Sequence, residues 1–230
     1  MRNPEKAGSP ASPGRNATDL DRRPIQARSA RLIQALARLL AQCGLSPNQV
    51  SISSVGFAII GSCLLAWEAT GTPNFLMLIG TAVCIQLRLL ANLLDGLMAV
   101  EGGHQTKTGE MFNEFPDRIA DVSLLGAAGY AARQGHLGIA AGWMAAVLAV
   151  GTAYIRAFGA RRGYPQDFCG PLAKQQRMFL LTLGCSLGAG EELLGMPSRS
   201  IFVSLIVIAV GTLITCFRRS ARLARRLEGK

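Results

Sequence analysis

Apolar residues along this chain fall into six long runs that are separated by short polar segments. Each run is close to the roughly 20 residues that an α-helix needs to cross the hydrocarbon layer of a bilayer. The predicted spans are Val50–Trp67, Phe75–Val100, Met111–Ala132, Leu137–Phe158, Met178–Leu194 and Ile201–Phe217. The pattern therefore predicts an all-α membrane protein with six transmembrane helices.

A different pattern precedes the first run. Between Arg31 and Cys43, leucine and isoleucine recur at helical spacing with basic and amide side chains between them. We predict an amphipathic helix over residues 29–44 that lies in the headgroup plane. Residues 1–28 are rich in Pro, Ser, Asn and Arg and show no periodicity, which is typical of a disordered tail. Residues 45–220 then form the transmembrane domain, and residues 221–230 form a basic tail.

Charge adds an orientation to this picture. Hydrophobic residues make up 50% of the 230 residues, yet the formal net charge is +10. If both termini are cytoplasmic, the inner segments hold twenty basic residues and the outer loops hold two, Arg133 and Arg199. Because basic residues accumulate on the cytoplasmic side, we expect a multi-pass protein of a bacterial inner membrane with both termini inside.

Acidic residues are concentrated in one short region. Of the 14 in the chain, six fall between residues 95 and 121: Asp95, Glu101, Glu110, Glu114, Asp117 and Asp121. Carboxylates at the ends of membrane helices repel one another and are costly to desolvate unless a cation compensates them. Oxygen-ligated divalent cations are one such compensator, and pairing with Lys107 and Arg118 is the simpler alternative.

Helical spacing aligns these acids into two stripes. Arg88, Asn92, Asp95 and Ala99 share one face of the second span, and Glu110, Asn113, Asp117 and Asp121 share one face of the third. The linker between the two spans is short, so the helices are antiparallel neighbours. We therefore expect the stripes to face each other as a cage of oxygen atoms at the cytoplasmic ends.

The two stripes also resemble a known motif. The sequence Asn92-x2-Asp95-Gly96-x2-Ala99-Val100-x8-Gly109-x3-Asn113-x3-Asp117 is similar to the D-x2-D-G-x2-A-R-x8-G-x3-D-x3-D motif of CDP-alcohol phosphatidyltransferases. All gaps match, and five of the eight fixed positions are identical. The resemblance extends over about residues 30 to 220. It implies six transmembrane helices behind an interfacial helix, and makes residues 45–220 a catalytic domain.

The resemblance implies a reaction and its participants. An acceptor alcohol, small or phosphorylated, would attack the β-phosphate of a CDP-linked lipid donor, CDP-diacylglycerol above all, and release CMP. Asp117 would be the general base, and Mg²⁺ or Mn²⁺ would be held by Asn92, Asp95, Asn113, Asp117 and Asp121. Gly96, Ala99 and Gly109 would let the nucleotide approach the helices, or they serve only helix packing in lipid. Arg156 and Lys174 are placed to bind acceptor phosphate or, equally, to determine topology and bind anionic lipid. Membrane lipid and a second copy of the chain are further expected partners, and nucleic acid is not.

Three positions depart from the motif, and alternatives follow from them. Asn92 and Asn113 stand at acidic positions and Val100 at the arginine position, so two formal negative charges are lost, which Glu114 or Asp121 would replace. A catalytically degenerate homologue is one alternative. A cation- or proton-coupled transporter is another, although transporter sites usually lie near the bilayer midplane. A non-catalytic scaffold that packs through Gly138-x3-Gly142 would leave the acidic cluster unexplained.

Reporter fusions test the predicted orientation. Because the basic residues are divided twenty to two, fusions at both termini should report the cytoplasm and a fusion at Gly135 the opposite side. A C-terminus on the outer side would place the acidic cluster away from cytoplasmic nucleotides and contradict the predicted reaction.

Overall fold

Seven α-helices make up the part of the chain that the structure describes. The computed structural model describes residues 31–71, 74–101 and 109–229, with the side chains in these ranges except those of residues 100–101 and 109–113. The helices are α1 (Arg31–Gln42), α2 (Pro47–Ala69), α3 (Phe75–Glu101), α4 (Gly109–Ala131), α5 (Gly135–Arg161), α6 (Lys174–Leu193) and α7 (Ser200–Leu227). The predicted tail over residues 1–28 and most of the linker between the acidic stripes lie outside the described residues.

The helix boundaries have local causes. At the start of α2, the Ser46 side chain accepts a hydrogen bond from the Gln49 amide (3.3 Å), and the Gln49 side chain accepts one from the Ser46 amide (2.8 Å). This capping box, followed by Pro47 in the first turn, begins α2. At the other end of the chain, α7 continues to Leu227 through most of the predicted basic tail, because alanine, leucine and arginine favour helix.

Four of the described helices, α2, α3, α5 and α7, are long and apolar enough to cross a membrane by length and composition. They indicate an integral membrane protein. Helices α4 and α6 have 23 and 20 residues but contain several charged side chains, including Asp117 and Arg177. The prediction of an all-helical membrane fold is thus confirmed at the level of four spans.

The six long helices close into a ring. Neighbouring pairs around the ring are α2–α3, α3–α6, α6–α7, α7–α5, α5–α4 and α4–α2. The apolar core lies inside it and includes Leu65, Ile85, Leu124, Leu181 and Leu205, all fully buried. Helix α1 packs outside the ring against α3, through a smaller cluster around Ala37 and Leu94. Its location in the headgroup plane stays a prediction.

Glycines bring α4 and α5 into close contact. A Cβ atom added to Gly142 would lie 2.6 Å from Gly129 Cα, and one added to Gly138 would lie 2.8 Å from the Gly129 carbonyl oxygen. The small-residue surface around Gly126, Gly129, Gly138 and Gly142 is therefore used within one chain, and the expected homodimer stays a prediction. Small residues let membrane helices approach backbone to backbone, which explains why this surface faces inward.

Substitution of Gly142 tests this contact. Gly142→Ala should destabilise the protein by about 1–3 kcal/mol, because the added methyl group meets the backbone of α4 rather than a flexible side chain. Thermal unfolding of detergent-purified protein measures the effect. Gly56→Ala is the matched control, since a Cβ atom there has no neighbour within 4 Å. Equal melting temperatures for the two variants would contradict the close packing.

Candidate active site

The charged end of the bundle is organised around one buried carboxylate, Asp121. Arg88 on α3 donates to its Oδ1 atom at 2.7 Å, and Arg177 on α6 donates to its Oδ2 atom at 3.1 Å. All three side chains are almost fully buried. Both oxygens of Asp121 are thus held by arginines from two other helices, and the network joins α3, α4 and α6.

The segment before α6 positions Arg177 and Lys174. Its backbone is tied to α7, because Thr215 Oγ1 accepts a hydrogen bond from the Leu172 amide at 3.2 Å. Gly170 adopts φ +128° directly against Thr215, a conformation and a contact that suit only glycine. Arg177 donates to the Leu172 carbonyl at 3.2 Å, which closes the turn. The entry to α6 is therefore held in place by α7.

Asp117 lies one helical turn from Asp121, and three side chains contact its Oδ1 atom. The Asn92 side chain donates to it at 2.9 Å, Arg88 lies 3.6 Å away, and Lys174 forms a direct salt bridge. Asn92 is on α3 and Asp117 on α4, so the two predicted stripes do face each other. Lys174 precedes the predicted fifth span.

Asp95 is the buried carboxylate that has no salt bridge within the described part of the chain. Only 4% of Asp95 is exposed, and Ser51 on α2 donates to its Oδ2 atom at 2.5 Å. Sequence reasoning missed Ser51, because a serine in an apolar run carries no signal of its long-range partner. It also missed that Arg88 would be an anchor, although an arginine within a membrane span requires a partner.

The other predicted residues are distributed as follows. Gly96 and Ala99 are half-buried on α3, and Gly109 begins α4. Arg156 on α5 forms a salt bridge with Glu114, which also pairs with Arg118 at 2.6 Å. The side chain of Asn113 lies outside the described residues. In the described ranges, no three His, Cys, Asp or Glu side chains come together as a metal-binding group, so the predicted ligand set stays a prediction.

Substitution of Asp121 distinguishes an anchor from a metal ligand. Asp121→Asn leaves the buried Arg177 without its described counter-charge and leaves Arg88 with only the Asp117 carboxylate at 3.6 Å, so we expect a loss of about 3–5 kcal/mol of stability. Thermal unfolding in the presence of chelator measures this loss of stability. Glu191→Gln is the control, because this carboxylate lies at the far end of α6, where it accepts a hydrogen bond from the Ser200 hydroxyl. A variant that is as stable as wild type in chelator, and that has lost only stabilisation by Mn²⁺, would favour the metal-ligand role.

Comparison with known proteins identifies relatives, although no family model matches the chain. The phosphatidylinositol phosphate synthase of Corynebacterium glutamicum is 28% identical over 194 residues, which are 82% of this chain and 82% of that protein. The synthase of the same name from Streptomyces avermitilis is 27% identical over 202 residues, covering 85% of this chain and 79% of that protein. The similarity therefore extends along nearly the whole length of both proteins.

Solved structures show the same fold. The phosphatidylinositol phosphate synthase of Mycobacterium tuberculosis with CDP-DAG bound has a TM-score of 0.71 and 24% identity, covering 84% of this chain and 94% of that one. The same protein in complex with manganese and citrate has a TM-score of 0.70 and 23% identity, with 83% and 88% covered. The sequence relatives and the fold agree: the chain is a membrane enzyme of the CDP-alcohol phosphatidyltransferase type, similar along nearly its whole length to phosphatidylinositol phosphate synthases.

Proposed function

We propose that this enzyme transfers a phosphatidyl group from CDP-diacylglycerol to a phosphorylated polyol and releases CMP. The observation that carries the proposal is the Asn92–Asp117 hydrogen bond, because it joins the two halves of the motif across α3 and α4. Inositol phosphate is the first acceptor to test, since the sequence relatives are phosphatidylinositol phosphate synthases. The acceptor is proposed from the names of these relatives, of which the C. glutamicum protein is 28% identical to this chain.

Asp117 is the proposed general base. All of its described contacts fall on Oδ1, which leaves Oδ2 to receive the proton of the acceptor hydroxyl. The hydroxyl oxygen bonds to the β-phosphorus of the donor as the bond from that phosphorus to the CMP oxygen breaks. Asn92 fixes the carboxylate by donating to Oδ1, and Arg88 connects it to the buried anchor Asp121. The carboxylate is therefore held in one orientation before substrate enters.

The donor atoms at this end fit a divalent cation. Asp95 is a buried carboxylate without a cationic partner in the described residues, and Asp117 and Asn92 offer further oxygen atoms nearby. We propose that Asp95 and Asp117, with Asn92 and Asn113, hold Mg²⁺ or Mn²⁺. A bound metal ion would neutralise charge on the diphosphate oxygens. Asp121 is proposed as an anchor rather than a ligand, because arginines engage both of its oxygens.

A basic cleft beside the motif suits a phosphorylated acceptor. It is lined by Arg156, Tyr164, Arg219 and Arg226 among others, and its water-accessible volume is only about 10 Å³. Arginine binds phosphate in bidentate geometry, which makes these side chains candidates for the acceptor phosphate together with Lys174. A sugar phosphate would have to widen the cleft. Of the lining residues, Arg156 also forms a salt bridge with Glu114 on α4.

All six helices of the ring are proposed to cross the membrane, with the acidic site and both termini in the cytoplasm. At 1.5 Å rise per residue, α4 and α6 are about 34 Å and 30 Å long, which matches the hydrocarbon thickness. Their charged residues form ion pairs inside the ring, so the bilayer need not solvate them. The ring would be incomplete without these two helices.

An assay of CMP release tests the function. Purified protein with CDP-diacylglycerol, Mg²⁺ or Mn²⁺, and inositol phosphate, glycerol phosphate or serine should release CMP with one acceptor and stop in chelator. Asp117→Asn should lower turnover by roughly 10²–10⁴-fold while nucleotide binding is largely kept, and Glu191→Gln at the far end of α6 should leave it unchanged. Absence of CMP release with every acceptor and metal would instead support a degenerate homologue.

A further inference from the structure

The contact between Lys174 and Asp117 places a resident cation on the proposed catalytic carboxylate. Lys174 Nζ pairs with Asp117 Oδ1, the same oxygen that accepts from Asn92. We propose that Lys174 is a built-in counter-cation of Asp117 that competes with the divalent metal, so that metal binding displaces its amine. This inference rests on the proposed function only in assuming that Asp117 is a metal ligand.

Charge balance at this end of the bundle supports the competition. The described side chains there include four carboxylates and five cations, which are Asp95, Glu114, Asp117 and Asp121 against Arg88, Arg118, Arg156, Lys174 and Arg177. Three of these carboxylates already have a cationic partner. The described side chains of the site are therefore close to neutral in sum before a metal ion arrives. A divalent ion at Asp117 is attracted less strongly than by an unpaired carboxylate, and it is repelled by the Lys174 charge.

Lys174 is the partner of Asp117 that is able to leave. Arg88 is fully buried and is held by Asp121 at 2.7 Å and by the Met178 sulfur at 2.9 Å. The Lys174 side chain is 24% exposed and sits on a flexible four-carbon stem. Its charge also acts on Asp95 and Asp121, so it lies within the electrostatic range of the whole acidic group. Its movement would expose Asp117 without breaking the buried network.

The backbone around Lys174 stays fixed while the side chain moves. Lys174 is the first residue of α6, directly after the segment that Thr215 and Arg177 hold through Leu172. Displacement of the amine therefore needs only rotation about side-chain bonds. Because the side chain reaches the exposed end of the site, the ammonium group that leaves Asp117 is then free to attract an anionic substrate.

Metal-binding measurements on the full-length detergent-purified protein test the competition. Titration with Mn²⁺ alone, followed by electron paramagnetic resonance of the free ion, gives the affinity without any substrate. Lys174→Met keeps the length of the side chain and removes its charge, so Mn²⁺ should bind at least about tenfold more tightly than to wild type. In the background of Lys174→Met, Asp117→Asn should abolish this gain.

The matched control is Arg161→Gln, which removes one positive charge from an exposed residue at the end of α5. It should change the Mn²⁺ affinity by less than about twofold, since exposed charges are screened. Equal or weaker Mn²⁺ binding by Lys174→Met, or a gain of similar size in Arg161→Gln, would overturn the proposal. Thermal unfolding shows that each variant is folded.

The CMP-release assay keeps the two proposals separate. Wild-type CMP release together with unchanged Mn²⁺ affinity in Lys174→Met would overturn the competition and leave the proposed function standing. Tighter Mn²⁺ binding in Lys174→Met without CMP release by wild type with any acceptor would support the competition and overturn the proposed function.

Discussion

The ion network of Arg88, Asp121 and Arg177 is the interaction on which the charged end of this bundle depends. A charge buried in a membrane bundle is costly, and direct pairing with an opposite charge offsets that cost. Here one carboxylate serves two guanidinium groups, and the three side chains come from α3, α4 and α6. The network therefore fixes the mutual position of the two motif helices and of the helix that carries Lys174.

The site is layered along the helix axis above this network. Asp121 lies one turn, about 6 Å, deeper than Asp117. Arg88 spans the layers, because it donates to Asp121 and also approaches Asp117. Arginines engage both oxygens of Asp121, whereas the described contacts of the Asp117 carboxylate all fall on Oδ1. Two aspartates on one helical stripe thus have different partners at different depths.

Close packing elsewhere in the ring gives this end its rigidity. Gly129 and Gly142 let α4 and α5 meet backbone to backbone, which leaves no room for side-chain rearrangement. On the other side of the ring, two residues of α7 hold the segment before α6. Thr215 accepts a hydrogen bond from the Leu172 amide, and Arg219 donates one to the Cys169 carbonyl at 2.8 Å. Helix α4, which carries Asp117, and the start of α6, which carries Lys174, are therefore held by helices that lie outside the motif.

The sequence by itself determined the helical membrane class, the helix positions and the facing of Asn92 and Asp117, because these follow from hydrophobic periodicity, motif spacing and a short linker. Only the tertiary structure decided which charges pair. The partners of Asp121, Asp95 and Asp117 on α6 and α2 lie 44 to 57 residues away in the chain, and no spacing rule reaches that far. The glycine surface shows the same limit: the sequence shows that the residues on one helix face are small, but only the packing shows which helix covers them.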